Sequence, residues 1–121
     1  MIALIEDSNP IAQLIITALE MHEYAVKHFT EGASFFFSLQ ASFYDLVLVD
    51  LTLPGGVSGL QVITFLREMY PTLPIIVVSA AGENILAGLH TLYPTLPIIR
   101  KPFKMQELMQ EVERASNTNF D

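Results

Sequence analysis

The stretch Leu46–Gly55, LVLVDLTLPG, decides how this chain folds. Leu46–Val49 is apolar with no polar alternation, the pattern of a parallel strand covered on both faces. Asp50 follows at once. In an open α/β sheet, ligands gather beyond the carboxyl ends of the strands, so an acid directly after a buried run is a candidate for chemistry rather than packing.

Three further apolar runs read as strands of the same kind: Ile2–Ile5, Ile75–Val78 and Ile98–Ile99 with its flanks. Tyr24–Phe29 is a weaker fifth. Helical patterns fall between them, over Asn9–Met21, Gly32–Leu39, Ser58–Met69, Glu83–Leu92 and Lys104–Ala115. Pro10 suits a first helical turn. Ile11, Leu14, Ile15, Ala18 and Leu19 are expected on one inward face of the first helix. In the third, Leu60, Ile63, Phe65 and Leu66 are expected mostly inward, and in the last Leu108, Met109 and Val112 form the apolar stripe. Gly88 weakens the fourth helix. Of Phe35–Phe37, two of three should face inward. The alternation predicts a flavodoxin-like three-layer α/β/α sandwich: a five-stranded parallel sheet in the order 2-1-3-4-5, wrapped by five helices.

The sequence YPTLPII occurs twice, at Tyr70–Ile76 and Tyr93–Ile99. Each copy sits where a helix stops and a strand begins. Proline cannot continue a helix, and at a strand's first residue it loses no needed ladder bond. The absence of a third copy argues against a solenoid, which needs about three or more repeats. The two copies read as one local solution used at two neighbouring strands.

The chain has 121 residues, 51% of them apolar and 16% charged, which fits one packed domain. Residues 1–116 are taken as that domain and 117–121 as a fraying tail. There is no Cys, so neither a disulfide framework nor a thiolate metal site is available. No apolar run reaches the ~18 residues of a membrane span, and no signal peptide is legible, so a cytoplasmic setting is expected. The net charge of −7 speaks against direct nucleic-acid binding, which needs clustered Lys and Arg.

The strand ends carry the other candidates. Glu6 and Asp7 follow the first strand, Ser79 the fourth, and Lys101 the fifth. Three carboxylates at one rim repel unless a cation joins them. Oxygen donors suit Mg²⁺, and no His lies at these ends to favour Zn²⁺ or Cu²⁺. His22, His28 and His90 are expected away from the site. A carboxylate nucleophile, a cation, an ammonium and a hydroxyl are together the parts of phosphoryl chemistry.

That set resembles the receiver domain of two-component response regulators. The resemblance rests on Glu6-Asp7, Asp50 in VDLTLPG, Ser79-Ala80 and Lys101-Pro102-Phe103, in order and at strand ends, over nearly the whole chain. It implies that Asp50 is the phosphoacceptor and that Asp7 and Asp50 contact Mg²⁺. Glu6 would act mostly through water, and the backbone carbonyl of Thr52 would add a ligand. Ser79 and Lys101 would hold the phosphoryl oxygens. It also implies a cis Lys101–Pro102 bond. The implied partners are a histidine kinase or phosphotransfer protein, and a downstream effector or fused output domain. A homodimer is one candidate assembly. The protein would catalyse its own phosphotransfer and dephosphorylation without being a turnover enzyme.

Three readings compete with it. Ile98 stands three residues before Lys101, where the family usually has an aromatic residue or His, and this favours a pseudo-receiver that only binds partners. A metal-dependent phosphatase would need an acid two residues after Asp50, where Thr52 stands. Flavin binding would need a phosphate loop, and EDSNP would repel one. Singly, Asp7, Ser8 and Ser79 could be helix caps, and Lys101 a solvated lysine. The loop LTLPGGVSG is one residue longer than the family's commonest form.

Overall fold

The computed structural model describes residues 1–120, with side chains described through residue 117. Ten elements alternate: β1 (Ile2–Ile5), α1 (Asn9–Met21), β2 (Val26–Phe29), α2 (Gly32–Ser38), β3 (Leu46–Val49), α3 (Gly59–Met69), β4 (Ile75–Ser79), α4 (Glu83–Leu92), β5 (Ile98–Arg100) and α5 (Met105–Phe120). The sheet is parallel throughout, in the order β2-β1-β3-β4-β5, and the fold is flavodoxin-like. Much of the expected tail 117–121 lies outside the described side chains.

The uninterrupted apolar runs have a direct cause. Every residue of β1, β3 and β4 is buried, and successive side chains point to opposite faces of a sheet. Both faces must therefore be apolar. One face, with Ala3, Ile5, Val47, Val49, Ile75 and Val77, packs with Val62, Ile63 and Leu66 of α3. The other, with Ile2, Leu4, Leu46, Leu48, Ile76 and Val78, packs with Ile15 and Leu19 of α1 and Leu108 and Val112 of α5.

The two YPTLPII copies adopt one geometry. Tyr70 and Tyr93 are the C-caps of α3 and α4, with φ, ψ of −136°, 73° and −134°, 79°. Each tyrosine amide donates to the helix, Tyr70 to the Leu66 carbonyl and Tyr93 to the Leu89 carbonyl. Each tyrosine carbonyl accepts from the leucine three residues on, Leu73 or Leu96, at 3.1 Å in both copies. The second proline of each copy offers its carbonyl to the neighbouring strand: Pro74 to Val47 and Pro97 to Val77. The repeat is one helix-to-strand joint built twice on adjacent strands, and both tyrosines are half-buried.

Three expected core residues lie outside it. Leu14 is 64% exposed, Leu60 42% and Phe65 37%. The buried face of α1 is Ala12, Ile15 and Leu19. At about 100° per residue Leu14 stands roughly 160° from Ala12, on the opposite side of the helix. Phe65 lies against Phe36 of α2 instead, ring centroids 5.0 Å apart. Phe35 is buried, Phe36 half-buried and Phe37 73% exposed, as the pattern expects. Among the described residues no helix is long and apolar enough to cross a membrane.

Candidate functional site

Parallel strands place their carboxyl ends side by side, and that is how Glu6 and Asp50 meet. β1 and β3 pair in register, Ile5 beside Val49, and the Asp50 amide continues the ladder by donating to the Ile5 carbonyl at 3.1 Å. The Glu6 amide donates to the Phe29 carbonyl at 2.9 Å on the other side. Both side chains are thus held by backbone and tucked under the loops, with Glu6 1% and Asp50 5% exposed. Asp7 lies next to them and is exposed. One carboxylate oxygen from each of Glu6, Asp7 and Asp50 falls within 4.8 Å of the others.

Lys101 spans the two buried acids. Its Nζ donates to Glu6 Oε1 at 2.6 Å and to Asp50 Oδ2 at 2.9 Å. The loop that carries it is tied to β4 by its backbone amide, which donates to the Ser79 carbonyl at 2.9 Å, and the Lys101–Pro102 peptide bond is cis. Its side chain is only 13% exposed, so it is not a solvated surface lysine. The other Asp50 oxygen, Oδ1, accepts from the Thr52 amide at 3.0 Å. Glu6 Oε2 accepts from the Ser8 amide at 3.2 Å.

These contacts set the titration of the pair. Burial pushes the Glu6 carboxyl above its ordinary range. The hydrogen bonds from Lys101 and the Ser8 amide and the Lys101 charge hold it back without cancelling the rise. Burial pulls Lys101 down, but its hydrogen bonds to Glu6 and Asp50 and their charges outweigh that, and its ammonium sits above its ordinary value. With all groups ionised, three carboxylates face one ammonium, leaving two negative charges at an oxygen-lined rim. That donor set fits a hard divalent cation of the Mg²⁺ type.

Ser79 ends β4 and is fully buried. It does not cap α4, whose N-cap is Gly82. Its Oγ accepts from the Ala81 amide at 3.0 Å, closing a small turn of the β4–α4 loop. Ser8 occupies the N-cap of α1 without a side-chain capping bond, so neither hydroxyl has the capping role a lone reading would give it.

Two neighbours of the site go beyond the sequence reading. His28 is not remote: its Nε2 lies 2.7 Å from the Glu6 carbonyl oxygen, to which it donates. β2 pairs in parallel with β1, setting His28 opposite Leu4, so the ring reaches two residues along the neighbouring chain to Glu6. Gly59 opens α3 directly against the phosphoacceptor candidate. A Cβ there would stand 2.1 Å from the Asp50 carbonyl oxygen and 2.5 Å from Leu51 Cα. The available signal was a glycine at a helix start just after Ser58, which already supplies the cap.

Comparison with known proteins agrees with this geometry. The family model described as "Response regulator receiver domain" matches residues 2–113. The chain is 29% identical to the response regulator receiver protein CpdR of Brucella abortus, over 93% of both chains. It is 33% identical to the transcriptional regulatory protein ResD of Bacillus subtilis, over 98% of this chain and 50% of that protein. It therefore spans about half the length of several of the curated regulators it matches. The solved receiver domain of NtrX from Brucella abortus superposes with a TM-score of 0.86 at 25% identity, covering 98% of this chain and 99% of that one.

Proposed function

This chain belongs to the response regulator receiver domain family, and from that membership we propose that it is a phosphorylation-operated switch whose phosphoacceptor is Asp50. Residues 1–116 form the working domain, and a cytoplasmic setting belongs to the same reading. The supporting observation is the single cluster in which Lys101 bonds both Glu6 and Asp50 while Asp7 stands beside them. A carboxylate oxygen of Asp50 attacks the phosphorus of a phosphohistidine on a kinase or phosphotransfer partner. The oxygen–phosphorus bond forms as the phosphorus–nitrogen bond breaks, and the leaving imidazole nitrogen keeps the electron pair and takes a proton from solvent.

Each residue then has a task its position allows. Asp7 and Asp50 would hold Mg²⁺, with Glu6 acting mostly through water and the Thr52 carbonyl as a further ligand. The cation would neutralise charge on the transferring group. Lys101 is already on Asp50 and keeps an ammonium at the phosphoryl oxygens. Ser79 turns its hydroxyl from the Ala81 amide toward a phosphoryl oxygen, which loosens the turn leading into α4. Thr52 offers no carboxylate to activate water, so the acyl phosphate outlives that of an acid-assisted phosphatase. The receiver family is one of signalling modules rather than turnover enzymes, and an effector or fused output domain would read the switch.

A pseudo-receiver reading has one observation in its favour. Ile98 is a half-buried aliphatic residue packed against the core cluster that includes Leu89 and Leu96, with no aromatic ring to move inward. Incubation with acetyl phosphate and Mg²⁺, followed by intact-protein mass spectrometry, separates the two. The expected result is one phosphoryl group on the wild type, none on Asp50→Asn, and none after chelation. Equal behaviour of wild type and Asp50→Asn would sink the phosphoacceptor assignment.

A further inference from the structure

β2 reads VKHF, and its side chains alternate between the two faces of the sheet. Phe29 is buried in the cluster with Phe35 of α2, while Val26 packs against the cluster with Ile15 of α1. His28 shares the face of Val26, where an aliphatic residue would serve packing better. It is half-buried, and its Nε2 donates to the Glu6 carbonyl oxygen at 2.7 Å. The β1–β2 ladder stops at Ile5 and Phe29. Glu6 is buried, yet among the described residues no backbone amide donates to its carbonyl. A buried carbonyl needs a partner, and the imidazole supplies one from the neighbouring strand.

That carbonyl belongs to the same planar peptide unit as the Asp7 amide and Cα, so orienting one orients the other. On the far side of Asp7, the Ser8 amide is held by Glu6 Oε2 at 3.2 Å. Asp7 itself is exposed, so packing does not fix its carboxylate, and Ser8 adds no side-chain cap to α1. The direction of Asp7 therefore comes from the backbone on either side of it. We propose that His28 is a positioning residue for the divalent cation: its Nε2–H fixes the Glu6–Asp7 peptide and keeps the Asp7 carboxylate beside those of Glu6 and Asp50. The inference rests on the Mg²⁺ site of the proposed function, not on transfer of a phosphoryl group. His28 bonds main chain and no carboxylate, so it acts through Asp7 rather than as a ligand. Losing an outer partner that orients a metal ligand typically weakens binding about ten- to a hundredfold. Here one of three carboxylates is affected, which sets the expectation at the lower end.

Amide NMR titration of the full chain with magnesium chloride, at constant ionic strength, tests this without any phosphoryl donor. Wild type is expected to bind Mg²⁺. His28→Phe and His28→Leu keep a packed side chain but lose the N–H, and should weaken binding about tenfold. His28→Gln, whose amide nitrogen reaches about as far as Nε2, should restore most of it. His22→Leu removes the ring that sits on the Ala18 carbonyl at the C-cap of α1, and should bind as wild type does. Acetyl phosphate labelling should split in the same way. In His28→Phe the Mg²⁺ concentration for half-maximal rate rises by the same factor, while the rate at saturating Mg²⁺ holds. His28→Phe and His28→Leu binding Mg²⁺ as tightly as wild type, or His28→Gln binding no better than His28→Phe, overturns the proposal. A wild type that binds no Mg²⁺ overturns it together with the cation site. Mg²⁺ binding that depends on His28 in a chain that takes no phosphate upholds the proposal and sinks only the phosphoacceptor assignment.

Discussion

Gly59 shows how a residue without a side chain can constrain a reactive one. α3 starts so close to the end of β3 that Gly59 lies on the Asp50 backbone, and its amide donates to the Leu51 carbonyl at 3.2 Å. Alanine there would meet backbone atoms, which cannot rotate aside. Gly59→Ala is therefore expected to cost about 3 kcal/mol, the upper end for overpacking, and to displace Asp50 from Lys101. Urea denaturation reads the first effect, and the rate of acetyl phosphate labelling, falling in parallel, reads the second. An alanine variant of wild-type stability would show that the close approach is relieved without cost. Asp50 and Glu6 were legible in sequence because each directly ends an apolar run, and Lys101 because it follows the last strand, one residue beyond Arg100, at the same rim. Gly59 and His28 were not, because their reasons are contacts with strands distant in the chain.

At the scale of elements, apolar runs marked the strands well and apolar residues marked helix faces less well. A strand buried on both faces needs no phase, whereas a helix face does. Leu14, Leu60 and Phe65 are large apolar residues at the wrong phase for the sheet, and each has another fate. Phe65 meets Phe36 between α2 and α3, Leu60 borders the α3–α4 groove, and Leu14 faces outward. The start of α3 is better specified. Ser58 Oγ accepts from the Gln61 amide at 3.1 Å, and Gln61 Oε1 accepts from the Ser58 amide at 2.8 Å, a complete capping box. α1, α2 and α4 have no side-chain cap. The helix with the capping box is the one whose first turn rests on Asp50. Ser58→Ala should lower unfolding free energy by about 1 kcal/mol, while Ser8→Ala, at the uncapped start of α1, should change it far less. Thermal melts of the two variants decide this, and equal losses would show that the box contributes nothing beyond its neighbours.

For the molecule as a whole, Lys101 is the closure: it ties the loop after β5 to the ends of β1 and β3, across 95 and 51 residues of chain. Its ammonium is held above its ordinary value in the fold, so its stabilising effect is fully present below the unfolded lysine value of about 10.4 and is lost as pH rises through the folded one. Glu6, also raised, has the matching sign for an acid. The folded state keeps its proton more firmly than the unfolded chain does, so stability is lost as pH rises from the ordinary carboxylate range through the folded value. At neutral pH the fold therefore holds a buried carboxylate at a cost that Lys101 offsets. Lys101→Met removes that compensation and leaves the buried Glu6 and Asp50 facing each other. Breaking a buried pair from one side costs about 3 kcal/mol or more. The deficit of Lys101→Met against wild type should be largest near neutral pH and shrink at acidic pH, where Glu6, whose carboxyl is held above its ordinary range, takes up its proton. It should shrink again as pH rises from about 10.4, where the unfolded lysine sheds its proton, through the higher folded value, where wild type loses its own ammonium. Millimolar Mg²⁺ should recover more stability in Lys101→Met than in wild type, because the cation takes over the neutralising task at the same oxygens. Urea titrations across pH, with and without Mg²⁺, read all of these together. A deficit that stays constant with pH would mean that Lys101 holds the strand ends by packing alone.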